Sequence, residues 1–369
     1  MHSSQAVIHL SNLKFNLLQI RKKIDQVKLM AVVKADAYGH GSVEVVKYYN
    51  SLSEHKPEYY AVAFPKEAIE LRDAGIKDPI LVFDPFEKEN ALICQKYNLI
   101  ATVFDKKHID ILKEKNNSAN KTKVHIKVDT GMNRLGIDYD KAYEFIKYVS
   151  NQKEFLIDGV YTHFAEADSK DKSFTLLQLK RFKELIAKLK SEKIKLGLLH
   201  AANSGAMLDL PETYFDMVRC GITLYGYYPS LETSESIKLK PVMSIITNVT
   251  TAKKVKPGET ISYGRRFKVK NETKIISVPI GYADGYRRGL TNKAQAIIKG
   301  KLFNQVGTVT MDRIMFDIGN SNVKIGDKVV LLGNDKKQSV TAWDWAKILD
   351  TIPYEITCGI AKRLPRVYE

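Results

Sequence analysis

"KLMAVVKADAYGHG" (Lys28–Gly41) opens as a short apolar strand, delivers a lysine, Lys34, at its carboxyl end, and then breaks into a loop with two glycines. A charged amine is costly to bury, so the question is what the rest of the chain gathers around Lys34. Seven more segments of the same kind follow: 59–64 "YYAVAF", 79–84 "PILVFD", 99–104 "LIATVF", 123–129 "KVHIKVD", 156–163 "LIDGVYTH", 195–200 "KLGLLH" and 217–222 "MVRCGI". Each is short, apolar and rich in β-branched or aromatic residues, as strands covered on both faces are. Helical patterns separate them. "GSVEVVKYYNSL", "PKEAIELRDAG" and "DKAYEFIKYVSN" carry apolar residues three and four apart, and Leu179, Phe182, Ile186 and Leu189 form one stripe within 171–193. Eight strand–helix units in succession predict an α/β fold, a closed (β/α)₈ barrel of the TIM type. An open doubly wound sheet is the alternative; no Gly-x-Gly-x-x-Gly follows the early strands, which disfavours dinucleotide binding.

After about residue 235 the rhythm changes to strand-like segments separated by turns, with one helix at "TAWDWAKILD" and a turn at "KPGE". The expected division is a barrel over 1–235 and a mostly β C-terminal domain over 236–369, with the seam near "YYPSLETSESIKLKP". The chain of 369 residues is long enough for two cores. It carries a formal charge of +16, but its lysines are scattered over helices and form no long basic block, so a solvated surface is favoured over nucleic-acid binding. No apolar run is long enough for a membrane span. The start, "MHSSQAVIHLSNLKFN", lacks the pattern of a secretory signal, so a cytoplasmic location is expected. Cys94, Cys220 and Cys358 lie far apart, with neither zinc-ligand spacing nor a disulfide framework, so no metal is expected.

Barrel chemistry sits at the carboxyl ends of the strands. Lys34 ends the first. Arg134 follows the fifth in "VDTGMNRLG", and His163 ends the sixth. Asn203 and Ser204 follow the seventh in "HAANSGAML". Arg219, Gly221 and Ile222 end the eighth in "MVRCGITLYG". Each has an ordinary reading: a snorkelling lysine, ion-pair arginines, a core histidine, a helix cap. As a set they converge on one mouth. An amine in an apolar mouth is made nucleophilic by desolvation, and the last two loops of a barrel often take a phosphate. Pyridoxal phosphate, joined to Lys34 as a Schiff base, fits both features.

The motifs "AVVKADAYGHG", "VDTGMNRLG", "THFAEAD", "NSGA", "VRCGITLYG", "ISYGRRF", "IGYADGYRR", "GTVTMDRIMFD" and "IPYEI" resemble, in order and spacing, those of the alanine racemases, a fold-type III pyridoxal-phosphate family. The resemblance runs from Lys34 to Tyr354. It implies a head-to-tail homodimer in which the β domain of one copy completes the active site of the other, acting on alanine to supply D-alanine for bacterial cell walls. Lys34 would hold the cofactor and serve as one base; Tyr263 of the other subunit would be the second. The resemblance gives Tyr38, Ser204, Gly221, Ile222 and Tyr354 to the phosphate, with Asn203 adjoining. It sets His163 against the cofactor ring and Arg219 at the ring nitrogen. Arg134 and the other subunit's Met311 would hold the substrate carboxylate, and Tyr282 would gate the entrance. Lys127 matches a lysine that is carbamylated in some members. Asn133 departs from the family pattern, where glycine is expected. A phenol is a poor base near its ordinary pKa of about 10, so Tyr263 needs help; Arg265 and Arg266 are close in sequence, and an exposed basic turn is their other reading. Two other functions compete. One is a broad-specificity racemase of small amino acids. The other is a non-catalytic pyridoxal-phosphate carrier, disfavoured because such proteins lack the β domain.

Overall fold

The structure, a computed structural model, describes residues 4–114 and 121–369. The eight expected strands are present at Lys28–Val32, Tyr59–Val62, Ile80–Val82, Ile100–Val103, Thr122–Asp129, Phe155–Tyr161, Leu198–His200 and Met217–Cys220. Each pairs in parallel with the next through the seventh, and the eighth pairs with the first, Cys220 opposite Ala31. The seventh and eighth are bridged more sparsely. The Asp216 N–H donates to Leu199 O (3.0 Å), the Leu199 N–H to the Asp216 carboxylate (2.8 Å) and the Arg219 N–H to Ala202 O (3.0 Å). The result is a nearly closed TIM-type barrel. The helix Ser173–Ser191 turns Leu179, Phe182, Ile186 and Leu189 inward, all of them buried.

The second unit is mostly β. Its sheet runs in the order Thr251–Val255, Thr273–Val278, Ile314–Asp317, Lys301–Gln305, Gln295–Ile298, Lys328–Asp335, Met243–Asn248, Gln5–Ile8 and Arg366–Tyr368. Helix Ala342–Leu349 starts at a capping box in which Thr341 and Asp344 accept each other's backbone N–H, at 3.2 and 2.7 Å. Its Trp345 packs edge-on to Tyr286, ring centroids 4.9 Å apart.

The chain divides less simply than a cut at residue 235. The β-rich unit comprises Lys240–Glu369 together with the N-terminal stretch up to Leu13 and Tyr38–Gly41. Strand Gln5–Ile8, which four apolar-leaning residues do not announce, lies between Met243–Asn248 and Arg366–Tyr368. The "YGHG" end of the opening stretch joins the same unit: Arg366 Nε donates to Gly39 O (3.2 Å) and the Tyr368 hydroxyl to His40 O (3.2 Å). Among the described residues the cysteines are free, and no helix is long and apolar enough to cross a membrane.

Gly39 has φ +84°, and a Cβ there would stand 2.2 Å from Thr357 O, whereas Gly258, with φ +88°, has open space around it. Gly258→Ala is expected to cost about 1–2 kcal/mol, the left-handed penalty alone. Gly39→Ala adds a clash with backbone and should lower the melting temperature well beyond that; equal shifts in thermal melts would contradict the packing described.

Candidate active site

Lys34 begins a helical turn, Lys34–Gly39, of unusual hand. Ala35, Asp36, Ala37 and Tyr38 all have φ between +52° and +55°. Left-handed helix costs L-residues roughly 1–2 kcal/mol each, so the turn must be held from outside. Glu67 does much of this: one carboxylate oxygen accepts the Ala35 N–H (2.6 Å), the other the Ala63 and Phe64 N–H groups (2.7 and 3.1 Å). Asp36 accepts the Ser42 N–H (2.8 Å), and the Ala37 N–H donates to Val33 O (2.9 Å). The Lys34 side chain therefore leaves the first strand from a fixed backbone. It is half-buried.

The expected apolar mouth is instead a cationic one. Arg219, on the eighth strand beside the first, is 3 % exposed. Its guanidinium donates through Nη1 to His200 Nδ1 (2.9 Å), and the two hydrogens of Nη2 are shared among Thr162 O (2.9 Å), Ala201 O (3.0 Å) and His163 Nδ1 (3.1 Å). It also lies 5.3 Å from the Tyr161 ring centroid. Among the described residues no carboxylate lies within salt-bridge distance of it. Burial, opposed by Tyr161 and Cys220, brings its pKa down to about 10, still a cation at neutral pH. His163 is pushed well below the ordinary histidine value by burial and then by the charges of Arg219, Lys127, Arg134 and Lys34, so it is neutral. An arginine can only donate, so His163 Nδ1 accepts and its proton sits on Nε2.

Arg134 is exposed at the mouth, and its loop is tied down by Asp129, whose carboxylate accepts the Gly131 and Arg134 N–H groups (2.8 and 3.2 Å). Asn133 adopts φ +56°. The position needs left-handed backbone, which glycine takes freely and asparagine tolerates best of the other residues, so the departure from the family pattern leaves the loop intact. Lys127, on the fifth strand, is 5 % exposed. Its ammonium lies 5.7 Å from the Tyr161 ring centroid.

Below the last two loops, Ser204 Oγ accepts the Gly221 N–H (3.0 Å) and lies 3.1 Å from Thr223 Oγ1. Asn203 caps the short helix Ser204–Asp209, its side-chain oxygen accepting the Ala206 N–H at 3.0 Å. Ile222 opens the turn Ile222–Tyr225, whose Tyr225 hydroxyl donates to Val32 O of the first strand (3.0 Å). The barrel unit thus brings together Lys34, Lys127, Arg134, His163, Asn203, Ser204, Arg219, Gly221 and Ile222. It adds Tyr161, His200 and Thr223, which the sequence reading missed. His200 could have been found, since it ends the seventh strand as His163 ends the sixth.

The remaining residues belong to the β-rich unit. Tyr38 and Tyr354 meet with ring centroids 5.9 Å apart. Tyr263, Tyr282 and Met311 line one pocket with Thr308 and Asp312, and are 75 %, 42 % and 51 % exposed. The Tyr263 loop is bent through φ +62° at Ser262, +71° at Gly264 and +50° at Arg265. Thr308 secures it, its hydroxyl donating to Tyr263 O (2.6 Å) and its carbonyl accepting from Ser262 Oγ (2.8 Å). Arg265 directs Nε to Thr260 Oγ1 (3.2 Å). The Tyr282 and Met311 loops are stitched by Tyr282 N–H to Thr310 O (3.0 Å) and Ala283 N–H to Met311 O (3.1 Å). A Cβ at Gly281 would stand 2.2 Å from Thr310 O. Among the described residues no His, Cys, Asp and Glu cluster could hold a metal ion.

Comparison with known proteins identifies the family. The family model "Alanine racemase, N-terminal domain" matches residues 8–229, and "Alanine racemase, C-terminal domain" matches residues 242–368. A curated relative, alanine racemase 1 of Clostridium acetobutylicum, is 41 % identical, with 98 % of this chain and 94 % of that protein covered. The structure of the alanine racemase of Clostridium difficile 630 is similar with a TM-score of 0.94 at 38 % identity, covering 100 % of this chain and 96 % of that one. That of Bacillus anthracis with bound L-Ala-P gives 0.92 at 35 %, covering 100 % and 95 %. Both family models and relatives alike over nearly their full length place this chain in the alanine racemase family.

Proposed function

We propose that the chain interconverts L- and D-alanine with pyridoxal phosphate as cofactor, working in the cytoplasm as a homodimer and supplying D-alanine for the cell wall. The observation that carries this reading is Arg219: a buried cation with no carboxylate within salt-bridge distance among the described residues, held as a pure donor to its neighbours. The donor set fits the cofactor. An amine stands at one side for an aldehyde carbon, the hydroxyls of Ser204 and Thr223 lie with the N–H groups of the last two loops for a phosphate, and a guanidinium can meet a ring nitrogen. Tyr38, Gly221, Ile222 and Tyr354 are assigned to the phosphate as well, with Asn203 shaping its loop. When bound, pyridoxal phosphate supplies an electron sink that acidifies the α-hydrogen of an attached amino acid.

The chain's own residues do the rest. Lys34 Nζ takes the α-proton from one face, and the Tyr263 hydroxyl of a second copy delivers one to the other; for the opposite enantiomer the roles reverse. Arg134, with the second copy's Met311 backbone, orients the substrate carboxylate. His163 would pack against the cofactor ring. The second copy's Tyr282 narrows the entrance. Arg219 cannot give up its proton near neutral pH, so facing the ring nitrogen of the cofactor it would leave that nitrogen unprotonated and restrain charge delocalisation into the ring. That limits side reactions such as transamination.

In water containing D₂O, each alanine enantiomer should invert with α-deuterium incorporated. Lys34→Ala should abolish this. Tyr263→Phe should lower the rate by about 10²–10⁴-fold, the range for a lost general acid–base. Inversion at full rate by Tyr263→Phe, followed by NMR or polarimetry, would remove the two-base assignment.

Lys127 gives a second test. Burial, then the charges of Arg134 and Arg219, lower its pKa from 10.5 to about 8. A neutral amine is the form that attacks carbon dioxide: the N–C bond forms as one C=O π pair moves to oxygen, a proton is released, and the carbamate would place an anion beside Arg134. Without carbon dioxide, the folded lysine loses its proton near pH 8 and the unfolded one near pH 10.5. The unfolded state then holds more protons between these values, so stability rises with pH across that window. In carbon-dioxide-free buffer, urea unfolding should show this rise for the wild type relative to Lys127→Met, which should be the more stable by a few kcal/mol at neutral pH. Parallel pH curves would contradict it.

A further inference from the structure

Interiors of (β/α)₈ barrels are filled mainly by branched apolar side chains. This one carries a column of polar groups. Arg219 Nη1 lies 2.9 Å from His200 Nδ1, His200 Nε2 lies 2.9 Å from His125 Nδ1, and His125 Nε2 lies 3.2 Å from Asp158 Oδ2. Tyr59, the first residue of the second strand, adds its hydroxyl to the same Asp158 oxygen at 3.3 Å. Both histidines are fully buried. The Tyr161 ring stacks on His200, centroids 4.8 Å apart and 6° from parallel.

The direction of every proton in the column follows from one fact. A guanidinium has no acceptor, so His200 Nδ1 must be bare and accept. Its proton is then on Nε2, which makes His125 Nδ1 the next acceptor. His125 therefore carries its proton on Nε2 and donates to the Asp158 carboxylate. Both rings are neutral in this arrangement, and burial lowers the pKa of each. The backbone is shaped for the column. Gly159 sits opposite His125, and a Cβ there would lie 2.8 Å from His125 Cε1; the pairing of these two strands shifts register between Val124 and His125.

We propose that Asp158, acting through His125 and His200, is the positioning carboxylate of Arg219. A carboxylate in direct contact would occupy the donors that Arg219 needs for a ring nitrogen. Two imidazoles in between fix one Nη1 proton and hold the negative charge at the far end of the barrel. The functional half of this proposal rests on the reading of Arg219 given above; the proton assignment does not.

The test is magic-angle-spinning ¹⁵N spectroscopy of the intact enzyme with labelled histidine, His125 and His200 being assigned from His125→Asn and His200→Asn. The wild type should show both rings neutral and protonated at Nε2; an Nδ1–H or cationic ring at either position overturns the proposal. Asp158→Leu removes the terminal acceptor and leaves the His125 Nε2–H without its carboxylate partner, which should shift the His125 Nε2 resonance from its wild-type hydrogen-bonded position, with kcat down about tenfold in both directions and KM for alanine nearly unchanged. Asp158→Asn keeps an oxygen acceptor and should retain the Nε2–H forms and most of kcat. Gly159→Ala, which displaces the His125 ring, should resemble Asp158→Leu. Should Asp158→Leu fail to fold, the wild-type spectrum and Gly159→Ala decide in its place; an unshifted His125 Nε2 resonance and wild-type kcat in the folded Asp158→Leu or Gly159→Ala enzyme would overturn the proposal. A wild type with the expected tautomers but no alanine inversion supports the proton assignment while refuting the racemase reading.

Discussion

A guanidinium almost wholly removed from water, with neutral acceptors on every described side, constrains the whole mouth of this barrel. Burying an unpaired charge is costly, and Arg219 offsets that cost with two carbonyls, two imidazoles and an aromatic face. Because arginine only donates, each neighbour must accept. The tautomers of His163 and His200 follow, and both histidines are held neutral by burial beside this cation. The same field reaches Lys127. A site with several cations and few anions is ready for a ligand that brings its own negative charge, such as a phosphate or a carboxylate.

The second constraint is the backbone after Lys34. Four successive residues in left-handed conformation represent stored strain of the kind found at functional sites. The strain persists because Glu67, three residues into its own helix, accepts N–H groups from both loops at once. A glutamate at this position ordinarily closes a capping box on its own helix. Here the box is extended to the neighbouring strand's loop, so the cap and the presentation of Lys34 are one structure. No local propensity in "KADAY" favours this conformation; tertiary hydrogen bonds impose it.

This separates what could be read in the sequence from what could not. The eight barrel strands were legible because each is a covered apolar run, and the strip Leu179, Phe182, Ile186 and Leu189 because its spacing is helical. Residues at the ends of those strands were legible by their position alone. The strand Gln5–Ile8 was not, since it is short and its partners are more than two hundred residues away. The apolar surroundings expected for Lys34 proved cationic, because charges on four separate strands or loops converge only in three dimensions. His125 and Asp158 read as ordinary strand residues; their meaning comes from the ring-to-ring contacts that a linear pattern does not contain.

The two units contribute in different physical states. The barrel holds its charges buried and rigid, where low dielectric strengthens each interaction. The β-rich unit presents Tyr263, Tyr282 and Met311 largely exposed, on loops whose left-handed turns are secured by Thr308, Gly281 and paired backbone hydrogen bonds. Loops whose backbone is already ordered lose little further backbone freedom when another surface covers them, so the ordering cost is confined to the side chains. In the proposed dimer, association would not have to order the Tyr263 loop as well as bind it. The strain is carried within the β-rich fold, and the geometry at Tyr263 is set before any partner arrives.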